Sequence, residues 1–167
     1  MIKLIAAVDD NLGIGFEGKL PWGPVKEDMQ FFRANTLYNP VIMGRETWKS
    51  TGHLDRRLNI VMSTTLPQTD MCLYWVARTV NEALAIAMTG HRDAFVIGGA
   101  QIYNLFALHA EKLLLTHIPG IYPADVFFPQ RVLDMFPVVE DMSVVGSLVI
   151  ERRTKQKGGT RELLRSV

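Results

Sequence analysis

The chain has one cysteine, Cys72, which excludes an internal disulfide and a multi-cysteine metal centre. Histidine is nearly as sparse. His53, His91, His109 and His117 are scattered without ligand spacing, so no metal site is expected. Neither sign of charge dominates: 18 basic and 17 acidic residues leave a net +1, which gives no reason to expect a nucleic-acid partner. No apolar run reaches membrane-spanning length, and the first is bracketed by Lys3 and Asp9, so no membrane partner and a cytoplasmic location are expected. There is no internal repeat, no G-x-G-x-x-G and no G-K-[ST], so a nucleotide site here would need another architecture. The one uneven stretch is residues 151–167, where Arg152, Arg153, Lys155, Lys157, Arg161 and Arg165 face only Glu151 and Glu162. A solvated basic extension explains this more simply than an anion-binding arm.

With 167 residues, 48% of them hydrophobic, the chain can form one soluble domain with a real core. Short apolar runs alternate with helical patterns. Ile2–Val8, Pro40–Met43, Leu58–Ser63, Leu73–Ala77, Ala94–Ile97 and Lys112–Ile118 read as strands, with Val144–Arg152 a weaker final one. The runs are continuous, as in a sheet covered on both faces. Residues 25–35, 45–51, 80–88 and 100–109 read as helices, which makes an α/β domain with a mostly parallel sheet. The loop Asp9–Pro24 is long and carries Gly13, Gly15, Gly18 and Gly23; a mobile lid and an ordinary surface loop both fit it.

In the first helix Val25, Met29 and Phe32 recur at helical spacing, and Asp28 lies on the same face. A carboxylate turned inward is costly without a partner, and a ligand can be that partner. Several strands also end in residues suited to phosphate: Gly44-Arg45-Glu46-Thr47, Ser63-Thr64-Thr65 and Gly98-Gly99-Ala100-Gln101. Glycine permits close backbone approach, helix N-termini offer N–H groups, and ligands gather at the carboxyl ends of strands in open α/β sheets.

Taken in order, these pieces resemble dihydrofolate reductases of the bacterial type. The resemblance runs through Ile5-Ala6-Ala7, Ile14-Gly15, Leu20-Pro21-Trp22, Asp28 to Thr36, and Val41-Ile42-Met43-Gly44-Arg45-Glu46-Thr47-Trp48. It continues through Arg57-Leu58-Asn59-Ile60-Val61, Val96 to Tyr103, Leu115-Thr116-His117-Ile118 and Asp125 to Pro129, and resumes at Val149-Ile150-Glu151-Arg152-Arg153. It implies a reductase domain over 1–153, followed by a basic extension over 154–167. The implied fold is a central eight-stranded, mostly parallel sheet flanked by four helices. The implied reaction is reduction of 7,8-dihydrofolate to 5,6,7,8-tetrahydrofolate by NADPH, serving one-carbon metabolism and thymidylate synthesis. Antifolates are expected in the same pocket, and a monomer is expected. A related-fold reductase acting on another pterin or a riboflavin precursor is the alternative; Arg57 argues against it, because that substrate lacks a glutamate tail.

The resemblance also implies roles. Asp28 would hydrogen-bond the pterin, Trp22 would hold a water, and Thr116 would fix Asp28. Ile5, Ala6, Met29, Phe32, Thr51, Leu54, Ile97 and Tyr103 would line the substrate slot, and Arg57, rather than the adjacent Arg56, would take the glutamate α-carboxylate. Ala7, Ile14, Gly15 and Leu20 would meet the nicotinamide end of the cofactor. Gly44, Arg45, Glu46 and Thr47 would approach the pyrophosphate and adenosine, with Ser63, Thr64 and Arg78 at the 2′-phosphate. Ile97, Gly98, Gly99, Ala100, Gln101, Ile102 and Tyr103 would pass beside the cofactor, with a cis peptide joining the two glycines. Four departures stand out: Leu20 for a common methionine, Gln101 for a basic residue, the acid Glu46 near phosphates, and a shortened stretch between Pro129 and Val149.

Overall fold

The computed structural model describes residues 1–68, 73–90 and 92–158; Cys72, His91 and the Arg161 and Arg165 end of the basic extension lie outside them. The strands are β1 (Ile2–Val8), β2 (Gly13–Gly15), β3 (Pro40–Gly44), β4 (Leu58–Met62), β5 (Trp75–Ala77), β6 (Ala94–Gly98), β7 (Lys112–His117), β8 (Val126–Phe127), β9 (Val138–Val145) and β10 (Leu148–Thr154). The helices are α1 (Lys26–Thr36), α2 (Arg45–Thr51), α3 (Val80–Ala87), α4 (Ala100–Phe106) and α5 (Gln130–Asp134), with a 3-10 turn after α3. Eight strands form one sheet in the order β5-β4-β3-β6-β1-β7-β10-β9, and β2 pairs with β8 beside it. Pairing is parallel from β5 to β7 and antiparallel for β10 and β9.

Continuous apolar runs hide a period of two, because the sheet is covered on both faces. Leu4, Ile42, Val96 and Leu115 point into one cluster with residues of α3, α4 and α5. Ile5, Val41, Met43, Phe95 and Leu114 point into the other, against Phe31 and Phe32 of α1 and Trp48 of α2. The functional consequence lies at the strand ends. Met43 is level with Gly98, Gly44 with Met62, and Met62 with Ala77, so the segments that begin at Arg45, Ser63, Arg78 and Gly99 leave one edge of the sheet side by side.

Several sequence expectations need correction. Val144–Arg152 is not one strand: the chain turns between Val145 and Leu148, with Gly146 at φ 62°, and the strands on either side pair as a long hairpin. Gly146 supplies the positive φ that a side chain rarely adopts, and an apolar flank on either side disguised the turn. The shortened region therefore keeps a full hairpin with a tight turn. Its tip lies against α1, where a Cβ on Gly146 would stand 4.0 Å from Glu27. Five α-helices are present among the described residues in place of four, since the five-residue α5 is too short to show a period. The loop Asp9–Pro24 is partly regular. Gly13–Gly15 pairs with β8, and Phe16 bridges Lys19.

Candidate active site

Asp28 sits in the first turn of α1 and is half-buried. Burial raises its carboxyl pKa above the ordinary value, and the Thr116 hydroxyl partly opposes that rise. Thr116 reaches it because alternation along β7 places it, with Leu114, on the face covered by α1. It is 1% exposed. Tyr103 closes the floor. It is buried, its hydroxyl donates to Ile5 O at 2.8 Å, and its ring lies against Gly98. Burial first, and the Asp28 charge second, push the Tyr103 hydroxyl well above its usual pKa, so it stays a neutral donor.

Two donors that the sequence assigns to the site are unspent. Trp22 Nε1 and Arg57 Nε are both buried and lack a hydrogen-bond partner among the described residues. A buried N–H without an acceptor costs free energy, so each is a donor that a water or a ligand oxygen can satisfy. The Arg57 guanidinium lies 5.8 Å from the Phe32 ring centroid. Burial and the nearby Arg33 lower its pKa, partly offset by Asp55; an arginine nonetheless remains charged. Phe32, beside Arg57, packs with other residues expected in the substrate slot. Ile5, Phe32, Leu54 and Ile97 share one cluster, Ala6 is buried in the cluster on the opposite face of the sheet, and Met29 is 54% exposed. Met29 is thus not core as helical spacing suggests; Phe31 packs inward in its place. Thr51 is exposed, its hydroxyl turned to Gly52 O at 3.1 Å.

The strand-end edge carries the cationic groups. Arg45 Nη1 donates to Thr65 Oγ1 at 2.9 Å, and Arg78 Nη1 to Ser63 O at 2.7 Å. Ser63 Oγ accepts from Thr65 N and Leu66 N, leaving its own O–H free to donate; Thr64 is exposed beside it. Gly44 and Gly99 cap α2 and α4 without a side-chain cap, so the first N–H groups there are unspent. Gly44 is also required by packing, because a Cβ would stand 2.9 Å from Ile102. A Cβ on Gly99 would meet only Thr47 Oγ1, at 3.9 Å, leaving open space beside it. The Gly98–Gly99 peptide is cis, as the resemblance implies. Glu46 turns outward, 84% exposed and paired with Lys49 at 3.1 Å, so it does not face this edge. Ala100 is half-buried and Gln101 exposed at the start of α4, while Ile102 is buried. Ala7, Ile14 and Gly15 are half-buried, and Leu20 is 45% exposed in the loop above them.

Sequence reading passed over the residues that hold this loop. Asp125 Oδ2 accepts from Glu17 N at 2.9 Å, and Asp9, 2% exposed, accepts from Asn11 N and Gly13 N. Both are acids in glycine-bearing loops, where surface turns are the ordinary explanation. Only burial distinguishes Asp9. No helix among the described residues is long and apolar enough to cross a membrane.

Comparison with known proteins gives one answer. A family model described as dihydrofolate reductase matches residues 1–146. The dihydrofolate reductase of Buchnera aphidicola subsp. Schizaphis graminum is 39% identical over 132 residues, covering 77% of this chain and 79% of that protein. That of Neisseria meningitidis serogroup B is 40% identical over 131 residues, with 77% and 78% covered. The dihydrofolate reductase of Sus scrofa is 30% identical over 171 residues, covering 91% of each.

Proposed function

The chain belongs to the dihydrofolate reductase family, and we propose from this premise how its own residues serve the reduction of 7,8-dihydrofolate to 5,6,7,8-tetrahydrofolate by NADPH. The observation that carries the reading is the half-buried Asp28 bonded to the Thr116 hydroxyl, together with two buried donors that lack partners among the described residues, Trp22 Nε1 and Arg57 Nε. Asp28 accepts the pterin's ring N–H and exocyclic amino group as a bidentate pair, which orients the ring and favours its protonated form. Thr116 holds the carboxylate to that geometry. Trp22 donates its one N–H to a water that delivers the proton to the ring nitrogen beside the reduced carbon. Ile5, Ala6, Met29, Phe32, Thr51, Leu54, Ile97 and Tyr103 form the slot, and Arg57 takes the glutamate α-carboxylate with its guanidinium fork. A riboflavin precursor offers Arg57 no such carboxylate, and that alternative is not favoured.

The strand-end edge fits a phosphate-bearing dinucleotide. Its donors are Arg45, Arg78, Ser63, Thr64 and the uncapped N–H groups after Gly44 and Gly99. When bound, NADPH supplies the hydride. Thr47, Ala100, Gln101 and Ile102 border the same edge, Glu46 stays outside it, and Ala7, Ile14, Gly15 and Leu20 shield the nicotinamide end from water. The reading includes a single domain over 1–153, a basic extension over 154–167, a cytoplasmic monomer, and antifolates competing for the pterin slot. The test is direct: mixed with dihydrofolate and NADPH, the purified protein should consume cofactor absorbance, and an inert mixture would sink the enzyme reading.

A further inference from the structure

Trp22 lies in the irregular segment between β2 and α1, so regular backbone does not set its angle. The ring that stops it turning is Tyr122. The two centroids are 6.2 Å apart with planes at 69°, an edge-to-face contact. Tyr122 is itself held from three sides. Its N–H donates to Asp9 Oδ2 at 3.0 Å and its hydroxyl to Pro119 O at 3.3 Å. Gly120, at φ 105°, brings backbone so near the ring that an added Cβ would stand 3.4 Å from Tyr122 Cε2.

Asp9 joins the two loops. Its buried carboxylate has no cationic partner among the ion pairs of the described residues. Backbone N–H groups satisfy it: Oδ1 accepts from Asn11 at 2.9 Å and Gly13 at 2.8 Å, and Oδ2 accepts from Tyr122. A buried carboxylate that depends on donors from two segments holds them in one register, because separating them leaves it unsatisfied. The next residue adds a parallel tie, with Asp10 N to Gly120 O at 2.9 Å and Gly120 N to Asp10 Oδ2 at 3.1 Å.

We infer that Asp9 and Tyr122 are positioning residues that set the Trp22 indole, and through it the water that protonates the pterin. Neither touches substrate. The inference rests on the role proposed above for Trp22. It differs from a generic loop contact because it predicts a defect in proton delivery rather than in binding.

The experiment compares Tyr122→Phe, Tyr122→Leu, Asp9→Asn and Trp22→Phe in the full chain. The readouts are steady-state kinetics across pH and the Trp22 indole N–H resonance, assigned by its loss in Trp22→Phe. Tyr122→Phe keeps the ring edge but loses the hydroxyl bond to Pro119 O, so its defect should be smaller than that of Tyr122→Leu. Tyr122→Leu and Asp9→Asn should lower kcat at alkaline pH by about ten- to hundredfold, as displacement of a reacting group does. The loss should shrink in acid, with the KM for dihydrofolate within about twofold, since substrate contacts are untouched. The indole resonance should move in both. An unmoved resonance in Tyr122→Leu, or a loss equal at all pH values and carried by KM, overturns the inference. A parent-like pH profile in Trp22→Phe would overturn the water's role instead, while a shifted resonance in Tyr122→Leu would still uphold the seating of Trp22 by Tyr122.

Discussion

At the scale of single residues, the site works through groups the fold leaves unsatisfied. Asp28→Asn removes the charge proposed to favour pterin protonation, so turnover should fall by about a hundredfold or more near neutrality and less in acid, where the substrate arrives protonated. The same change should affect stability with the opposite sign. Burial raises the folded-state pKa of Asp28 above its unfolded value. Its favourable contribution is then complete below the unfolded pKa and is lost as pH rises through the folded one. Asparagine keeps the uncharged shape, so the variant should melt above the parent at neutral pH and level with it in acid; thermal denaturation across pH checks this. Arg57→Ala should raise the KM for dihydrofolate with little change in kcat, a loss of about 2–5 kcal/mol if a buried charge pair is broken. An unchanged KM would move the tail contact to Arg56. Asp28 was legible from helical spacing alone. Asp9 was not, because an acid in a glycine-bearing loop is ordinarily solvated, and only its burial against three N–H donors says otherwise.

At the scale of elements, the loop after β1 and the final hairpin differ in how they are secured. The loop Asp9–Pro24 is held by close packing around Gly13, where a Cβ would stand 2.9 Å from Ala124 Cβ and 3.1 Å from both Asp9 oxygens. Gly13→Ala should therefore destabilise by about 1–3 kcal/mol, as overpacking does, read as a shift in denaturant midpoint. The final hairpin is held by a buried acid. Glu151 Oε2 lies 2.6 Å from Arg153 Nε and 3.1 Å from His117 Nε2, and Arg153 also donates to Phe136 O. Burial would raise the Glu151 pKa, but Arg153 and His117 outweigh it and hold the carboxyl below its usual value. That contribution is present above the unfolded pKa and is lost as pH falls through the folded one. Arg153→Met should cost about 2–4 kcal/mol at neutral pH, and the gap should narrow in acid. Sequence reading merged this hairpin into one strand, because valines flank the turn on both sides and a lone glycine is a weak stop signal.

At the scale of the whole molecule, the parallel half of the sheet brings four chain segments to one edge, where the cofactor-binding groups are proposed, while α1, which carries Asp28, covers the same face of the sheet as α2. A ligand that binds only the folded chain stabilises all of it, so NADPH at a hundredfold excess over its Kd should add about 2.7 kcal/mol, seen as a higher melting temperature. No shift at saturating cofactor would mean that the strand-end edge does not bind it. The apolar runs, the helix periods and the colinear motifs were readable without coordinates, because local propensity and two-sided burial write themselves into residue order. Hence the α/β class, most element positions and the family were open to sequence reading. The loop ties, the hairpin turn and the partnerless state of Trp22 Nε1 and Arg57 Nε were not. Each depends on which groups from distant segments meet and which are left unmet, and hydrogen-bond satisfaction is a property of the packed molecule rather than of residue order.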